Sequence, residues 1–356
     1  MTDVIVIGGG VAGLSAAAAL SETVKVTLLE REKQTGYHSS GRSAALFEEN
    51  YGKPTTRALN RASREAHAAL GVLSPRGLMI VAQDHEADQF SADILDMNLS
   101  EISMDDARAL VPILSPAITR AAHFDGAQDI DTDLLMQTWI KQIRANGGTV
   151  QTGAEVSKIT KTSAGWRVEI GSDVLTAPVI VNAAGAWADQ IAQIAGIAPL
   201  GLTPLRRSMA RLAAPGGHDV RHWPMIFGPG ESWYAKPDAG ALLVSPAEED
   251  PVAPMDAWPD DMVLAEGLAR YQDAVTGEVT RPIATWAGLR TFAPDRSLVL
   301  GRDTADPSFI WCAGQGGYGV QSSPAAGQHI ADVVAERTPA IGAEVAAQLS
   351  PARFSR

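Results

Sequence analysis

The sequence predicts an α/β protein in which a second, discontinuous α+β domain is inserted into a doubly wound domain. Three observations support this prediction. The chain opens with an apolar strand, a glycine-rich turn and an alanine-rich helix. Two later regions repeat the order of strand, small residues and helix, as expected for further strands of one parallel sheet. The segments between these regions are rich in short strands and turns, which is typical of an antiparallel sheet.

The first strand and turn predict a binding site for an adenine dinucleotide. Val4 to Ile7 are all β-branched, and Gly8, Gly10 and Gly13 follow at the G-x-G-x-x-G spacing. This spacing allows a tight turn, a close approach of the backbone to a pyrophosphate, and close packing of the helix on the strand. The pyrophosphate would then rest on free N–H groups at the start of the helix. Glu30, after a second apolar strand, can accept a hydrogen bond from a ribose hydroxyl.

Two later regions predict further strands of the same sheet. Val179 to Val181 form a strand that leads into small residues and a helix through Ile194. Phe309 to Ala313 form another, which runs into the glycine-rich segment 314–319 and a helix from about Gln321. The second domain is predicted in the intervening segments, which include strands at Leu78 to Ala82 and Ala241 to Ser245. The predicted boundaries are 1–76, 141–200 and 290–356 for the nucleotide-binding domain, and 77–140 and 201–289 for the inserted domain.

Composition excludes several classes of function. The chain has 356 residues and a formal net charge of -12, so a nucleic-acid partner, which would require clustered Lys and Arg, is not expected. Cys312 is the only cysteine, which excludes an intrachain disulfide, and the seven histidines show no metal-ligand spacing. No apolar run approaches the eighteen or more residues of a spanning helix. We therefore expect a metal-free, cytoplasmic protein that acts on a small molecule.

Six segments carry a family resemblance that covers nearly the whole chain. These segments are Gly36–Ala45, Asn182–Trp187, Pro204–Ser208, Tyr234–Gly240, Thr285–Arg290 and Gln315–Gln321. Through them the chain resembles the D-amino acid oxidase superfamily of flavoproteins, and within it the D-arginine dehydrogenase type. The resemblance implies FAD as the dinucleotide, a Rossmann-like domain of the glutathione-reductase type, and a substrate-binding domain on a mostly antiparallel sheet.

The FAD contacts are predicted from the fingerprint together with this resemblance. Hydroxyls and a cation in the segment 39–43 suit pyrophosphate oxygens and a flavin edge. Helix-end N–H groups after the glycine-rich segment 314–319 suit the flavin edge that gains negative charge on reduction. His38 makes a covalent bond to flavin conceivable, but we expect non-covalent binding. The predicted FAD-binding residues are Gly8, Gly10, Gly13, Glu30, Arg31, Ser39, Ser40, Gly41, Arg42, Ser43, Ala44, Val156, Ala184, Gly185, Trp187, Gly316, Gly317, Tyr318, Gly319, Val320 and Gln321.

The resemblance also assigns substrate-binding residues. Arg290 and Arg207 are expected to bind a substrate carboxylate, because guanidinium groups bind carboxylates in a bidentate manner. Tyr51 and Tyr234 match tyrosines that line the pocket, and the Gly317 carbonyl is placed to orient the substrate amine. The implied reaction is hydride transfer from Cα of a D-amino acid to flavin N5. The resulting imino acid hydrolyses to a 2-oxo acid and ammonia.

The chain departs from the D-arginine dehydrogenase pattern at one position and leaves several alternatives open. Leu78 stands where that type places a carboxylate for the guanidinium of its substrate. Glu48 and Glu49, on the loop after Leu46, are the candidates to replace it, although we expect both to be solvated, as loop acidic residues usually are. A flavoenzyme for secondary amines such as sarcosine, glycine or proline derivatives, and an electron-relay subunit, are the alternatives. The electron acceptor, a quinone or O2, is left open.

Overall fold

The computed structural model describes residues 2–354. Its α-helices, in chain order, are α1 Val11–Ser21, α2 Pro54–Ala69, α3 Ala87–Met97, α4 Met104–Leu110, α5 Thr132–Ala145, α6 Ala188–Ile194, α7 Asp261–Ala274, α8 Gly319–Val334 and α9 Ala343–Leu349. Its strands are β1 Val4–Ile7, β2 Val26–Leu29, β3 Leu46–Phe47, β4 Leu73–Pro75, β5 Leu78–Ala82, β6 Ser100–Ile102, β7 Arg120–Phe124, β8 Gln128–Ile130, β9 Thr149–Gln151, β10 Val156–Thr162, β11 Gly165–Ile170, β12 Asp173–Ala177, β13 Val179–Asn182, β14 Thr203–Ala213, β15 Met225–Phe227, β16 Tyr234–Asp238, β17 Ala241–Ser245, β18 Asp250–Pro251, β19 Ala284–Phe292, β20 Val299–Arg302 and β21 Phe309–Ala313.

The first sheet has six strands in the order β20-β21-β13-β1-β2-β9. All neighbours are parallel except β20 and β21. Alternate residues of β1 face opposite sides, because side chains alternate along a strand. Val4 and Val6 pack beneath α1, α5 and α8 in one apolar core. Ile5 and Ile7 belong to a second core on the opposite face, formed with α6 and the small antiparallel sheet β10-β11-β12.

The second sheet has nine strands and draws on two separate parts of the chain. Strands β5, β6 and β7 come from the first part and β14 to β19 from the second. Its pairings are antiparallel except that between β5 and β15. One face packs on α4 and α7. This mixed architecture confirms the predicted fold class.

The predicted domain boundaries stay predictions, although two elements lie across them. Strand β19 spans the proposed boundary at residue 290, and helix α5 spans the one at residue 141. Helix α5 packs against α1 and contributes Trp139 and Ile143 to the core of the first sheet. Strand β19 pairs with β14 along its whole length. Helix α5 therefore belongs to the core of the first sheet, and β19 brings residues of the second sheet into a cavity that Gly10, in the turn after β1, also lines.

Candidate active site

Four adjoining cavities run from the turn after β1 to the protein surface. The long cavity, of about 590 Å³, lies over the carboxyl ends of β1 and β2. The central cavity, of about 140 Å³, shares Gly10, Ser40 and Gly185 with it. The inner pocket, of about 90 Å³, shares Arg290 and Tyr234 with the central cavity. The outer vestibule, of about 440 Å³, shares four lining residues with the inner pocket, and these are Tyr51, Met97, Phe227 and Glu231.

The glycine turn beneath the long cavity depends on the absence of side chains. Gly8 has φ of 113°, and a Cβ at Gly13 would lie 1.9 Å from the Gly8 carbonyl oxygen. The Glu30 carboxylate accepts a hydrogen bond from the Gly9 N–H at 2.6 Å and one from the Glu32 N–H at 2.8 Å. The turn and the acidic residue are thus fixed relative to each other, in the arrangement that a ribose and a pyrophosphate require.

Most of the residues predicted to bind the AMP half of FAD line the long cavity. The guanidinium of Arg31 lies 4.4 Å from the ring centre of Trp187, which forms part of the same wall. His38 also lines this cavity, where its Nε2 lies 3.0 Å from a Glu32 oxygen. Residues from the prediction that line it are Gly8, Gly10, Glu30, Arg31, Ser39, Ser40, Val156, Ala184, Gly185 and Trp187.

The segment 36–45 is held between the two sheets by its own polar side chains. Ser40 Oγ accepts a hydrogen bond from the Val11 N–H at the start of α1, and Ser39 Oγ donates to the Leu289 carbonyl on β19 at 2.6 Å. Arg42 donates to Asp256 at 2.6 Å and to main-chain carbonyls, so much of its hydrogen-bonding capacity serves this anchoring. Gly41, whose N–H bonds the Gly36 carbonyl, closes the turn. Direct contact of Arg42 and Gly41 with FAD stays a prediction.

The central cavity lies between this segment and the start of α8. Helix α8 begins at Gly319, two residues earlier than predicted. Because Gly319 and Val320 line the central cavity, the positive end of the helix dipole faces it. Arg207 lines the cavity, 7% exposed, and donates through Nε to the Glu248 carbonyl, while its Nη1 has no hydrogen-bond partner. The predicted residues that line it, besides those shared with the long cavity, are Arg42, Ser43, Ala44, Gly316, Gly317, Gly319 and Val320.

Arg290 lies where the central cavity meets the inner pocket. It projects from β19, and a Cβ at Gly317 would lie 2.8 Å from its Nη1, so glycine at 317 is what leaves room for the guanidinium. Burial alone would lower the pKa of Arg290, but Tyr51, Tyr234 and Glu231 raise it above its usual value. The guanidinium therefore stays charged and available to an anion.

A tyrosine and a carboxylate close the inner pocket on the vestibule side. Tyr51 donates a hydrogen bond to Glu231 Oε2 at 2.9 Å, across 180 residues of sequence. Burial and Glu231 raise the pKa of Tyr51, so its hydroxyl stays protonated. Glu231 was not among the predicted site residues. Its contact depends on long-range folding that no local motif reports, and only its position in a Pro-Gly turn with φ of 53° marks it as unusual.

The expectation that Glu48 and Glu49 are both solvated is wrong for Glu48. Glu48 is 2% exposed and lines the inner pocket. Its Oε1 accepts a hydrogen bond from the Asn50 N–H at 2.8 Å, whereas its Oε2 is buried without a partner. Burial raises the pKa of Glu48. Glu49 instead points away and pairs with Arg64 at 3.0 Å.

Helix α2 and the start of α8 hold the loop that carries Glu48. The Glu48 N–H donates to Gln321 Oε1 at 3.0 Å, and Asn60 Nδ2 on α2 donates to the Tyr51 carbonyl at 3.1 Å. Gln321 lines the inner pocket, while Tyr318 lines the vestibule, 5.1 Å from the Tyr51 ring. Both were predicted as FAD contacts, and that role stays a prediction.

The cavities fit FAD by their chemistry. The long cavity offers a side-chain-free turn and a ribose-binding carboxylate, and the central cavity offers a helix N-terminus and a buried guanidinium nitrogen without a partner. Across residues 2–354, no group of three or more His, Cys, Asp and Glu residues is arranged to hold a metal ion. Within the same residues, no helix is both long and apolar enough to cross a membrane.

Comparisons with known proteins agree with this architecture. Residues 3–333 match the family described as FAD dependent oxidoreductase. Among solved structures, glycine oxidase from Geobacillus kaustophilus has a TM-score of 0.85 at 22% identity, covering 100% of this chain and 99% of its own. L-proline dehydrogenase from P. horikoshii has a TM-score of 0.82 at 19% identity, with coverages of 99% and 97%.

Sequence similarity extends to proteins from bacteria and from animals. The tRNA 5-methylaminomethyl-2-thiouridine biosynthesis bifunctional protein MnmC of Thiobacillus denitrificans is 27% identical across 99% of this chain. The chain spans only 59% of the length of that protein. FAD-dependent oxidoreductase domain-containing protein 1 of Bos taurus is 23% identical across 100% of this chain and 84% of its own length. The chain belongs to the FAD dependent oxidoreductase family, and FAD is its cofactor.

Proposed function

We propose that this oxidoreductase oxidises the Cα–N bond of a D-amino acid. Bound FAD supplies the hydride acceptor. The substrate loses a hydride from Cα and becomes an imino acid, which water hydrolyses to a 2-oxo acid and ammonia. The observation that carries the proposal is the position of Arg290, a charged guanidinium at the junction of the central cavity and the inner pocket.

The residues around this junction orient the substrate. Arg290 would bind the carboxylate in a bidentate manner, and the hydroxyls of Tyr51 and Tyr234 lie in the same pocket as further donors. Arg207, with a free Nη1 in the central cavity, is the second candidate for the carboxylate. Fixing the carboxylate sets the position of Cα, and such orientation is the main contribution a protein makes to hydride transfer. The Gly317 carbonyl is the proposed acceptor for the substrate amine.

The apolar wall of the inner pocket keeps water from the reacting carbon. Leu78, Met97, Met225 and Phe227 line it together with the charged groups. Because the imino acid forms only when the hydride has left, a dry pocket delays its hydrolysis until it leaves the site, and it strengthens the ion pair that orients the substrate. The protein then needs no strong base at the reaction centre. The substrate amine has only to be neutral when the hydride leaves.

Oxidation of a small secondary or primary amine, such as sarcosine or glycine, is the second candidate. The apolar lining of the inner pocket also suits an N-methyl group, and the chain shares its fold with glycine oxidase of Geobacillus kaustophilus. Such a substrate would present the same carboxylate to Arg290. The two functions therefore differ in the group that fills the apolar part of the pocket.

Anaerobic bleaching of the flavin separates these functions. The holoenzyme would be mixed with D- and L-amino acids, glycine, sarcosine and proline, and the loss of flavin absorbance followed. Faster bleaching by a D-amino acid than by its L-enantiomer and by sarcosine is the expected result. Bleaching by sarcosine or glycine alone would establish the second candidate, and no bleaching by any amino acid would disprove both. Admitting air or a quinone afterwards identifies the electron acceptor.

A further inference from the structure

The charged residues of the inner pocket do not balance. Three charged side chains line it, Arg290, Glu48 and Glu231, so the pocket carries two carboxylates for one guanidinium. A zwitterionic substrate adds one charge of each sign and leaves the excess of one negative charge unchanged. A substrate with one additional cationic group would balance the charges of these three side chains. Because unpaired buried charges are costly, this balance favours a cationic ligand.

Glu48 is the carboxylate left without a partner. Glu231 accepts the Tyr51 hydroxyl, and Arg290 interacts electrostatically with Tyr51, Tyr234 and Glu231. Glu48 Oε2 has no hydrogen-bond partner although the residue is 2% exposed. An ionised carboxylate buried in this way gains most from a hydrogen-bonded cation.

The backbone around Glu48 fixes its direction. The Glu48 N–H bonds Gln321 on α8, and the Asn50 N–H bonds Glu48 Oε1. Asn60 on α2 holds the Tyr51 carbonyl at the other end of the same turn. The carboxylate is thus preorganised, so little conformational entropy is lost when a ligand binds it.

We propose that the inner pocket selects amino acids whose side chain ends in a cation, and that Glu48 is the residue that recognises this cation. This inference rests on the proposed function for the position of the α-carboxylate at Arg290. The aliphatic part of such a side chain would lie along Leu78, Met97 and Phe227. Glu48 then acts on specificity, and the hydride transfer itself does not require it.

The test compares ligands that differ only in the terminal charge. Anaerobic bleaching rates and dissociation constants would be measured for lysine against norleucine and for arginine against citrulline, in the enantiomer that the enzyme oxidises. Glu48→Gln is expected to reduce the preference for the charged member over the neutral one at least about 30-fold, as for other buried charge pairs. Glu49→Gln is the matched control, because Glu49 pairs with Arg64 outside the pocket.

A non-oxidisable pair separates this inference from the proposed function. 5-Aminopentanoate and pentanoate share the carboxylate, but only the first carries a distal cation, and binding can be followed by the flavin spectrum. Tighter binding of 5-aminopentanoate that Glu48→Gln removes would support the cation site even if no amino acid is oxidised. Equal binding of the two ligands to the holoenzyme, or equal loss of both in Glu48→Gln, would overturn it.

Discussion

The long cavity and the inner pocket, at opposite ends of the proposed FAD site, are built in different ways. The long cavity is built on the glycine turn at residues 8–13, whose backbone leaves no room for added side chains, and on neighbouring side chains such as Glu30, Glu155 and Trp187. The inner pocket is formed by residues from six separate parts of the chain. Cofactor binding is therefore set by local backbone geometry, whereas substrate choice is set by a few side chains that the fold brings together.

The sharpest way to test this difference is to remove the charge at the substrate end. Arg290→Met is expected to lower kcat/KM by about 100-fold to about 1,000-fold, because a charge-assisted bond to the substrate carboxylate is lost. Flavin content should be unchanged. Steady-state kinetics and the flavin spectrum would measure both quantities.

Arg211→Met is the control for this substitution. Arg211 lies on β14 and pairs with Asp238 at 3.4 Å, and it lines none of the four cavities described above. Its replacement should leave kcat/KM within about 2-fold, as expected for a surface ion pair. If Arg290→Met lost its flavin, the claim that cofactor binding and substrate binding depend on different residues would be wrong.

The corresponding change at the cofactor end is Gly13→Ala. Its Cβ would meet the Gly8 carbonyl oxygen at 1.9 Å, so α1 must move away from β1. We expect a loss of about 1–3 kcal/mol in the free energy of unfolding, typical of overpacking, together with weaker FAD binding. Urea unfolding and the ratio of flavin to protein absorbance would measure these effects.

Gly277→Ala provides the matched glycine control. The nearest atom to a Cβ at Gly277 is on Pro215 at 4.0 Å, so a methyl group fits there. Full flavin content in Gly13→Ala would show that the turn tolerates a side chain. The role assigned to the backbone of the long cavity would then be wrong.

The same difference explains how much could be predicted from the sequence. Strands β1, β5, β17 and β21 have the bounds that the sequence predicts, because their apolar runs are local signals. Helix α2 is absent from the prediction because the residues on its buried face are mostly polar. Those residues are Thr55, Thr56, Leu59, Asn60, Ser63 and His67. Hydrophobic periodicity cannot reveal a helix of this kind.

The inner pocket shows the same limit at the level of single residues. Arg290 was found through a resemblance, whereas Glu231 depends on a contact with Tyr51 that only the folded chain creates. For Glu48 the sequence predicts a solvated side chain, because carboxylates in loops are usually exposed. Its burial follows from α2 and Gln321, neither of which a local pattern connects to it.

The smallest expected effect concerns stability at the substrate end. Burial raises the pKa of Glu48, so without ligand the folded protein loses this proton at a higher pH than the unfolded chain does. The stability that this provides is complete below the ordinary pKa of a glutamate and is lost as the pH rises through the raised pKa. Asn50 and Arg64 lower the pKa of this carboxyl, Glu49 raises it, and burial is the largest cause. The wild-type protein should therefore lose stability, relative to a variant without this charge, as the pH rises from the ordinary pKa of a glutamate through the raised one.

Glu48→Gln removes the titration while keeping the shape of the side chain. Relative to the wild type, the variant should gain about 1 kcal/mol in the free energy of unfolding as the pH rises through the raised pKa of Glu48, because the variant avoids a buried charge. Melting temperatures of both proteins, measured without ligand, would show the gap widening with pH. Glu49→Gln should show no such widening, since Glu49 is paired with Arg64. If the difference in melting temperature between the two proteins did not change with pH, Glu48 would be neutral at every pH measured, and a cation would have no carboxylate to bind. Stability and specificity at this pocket thus depend on the same buried charge.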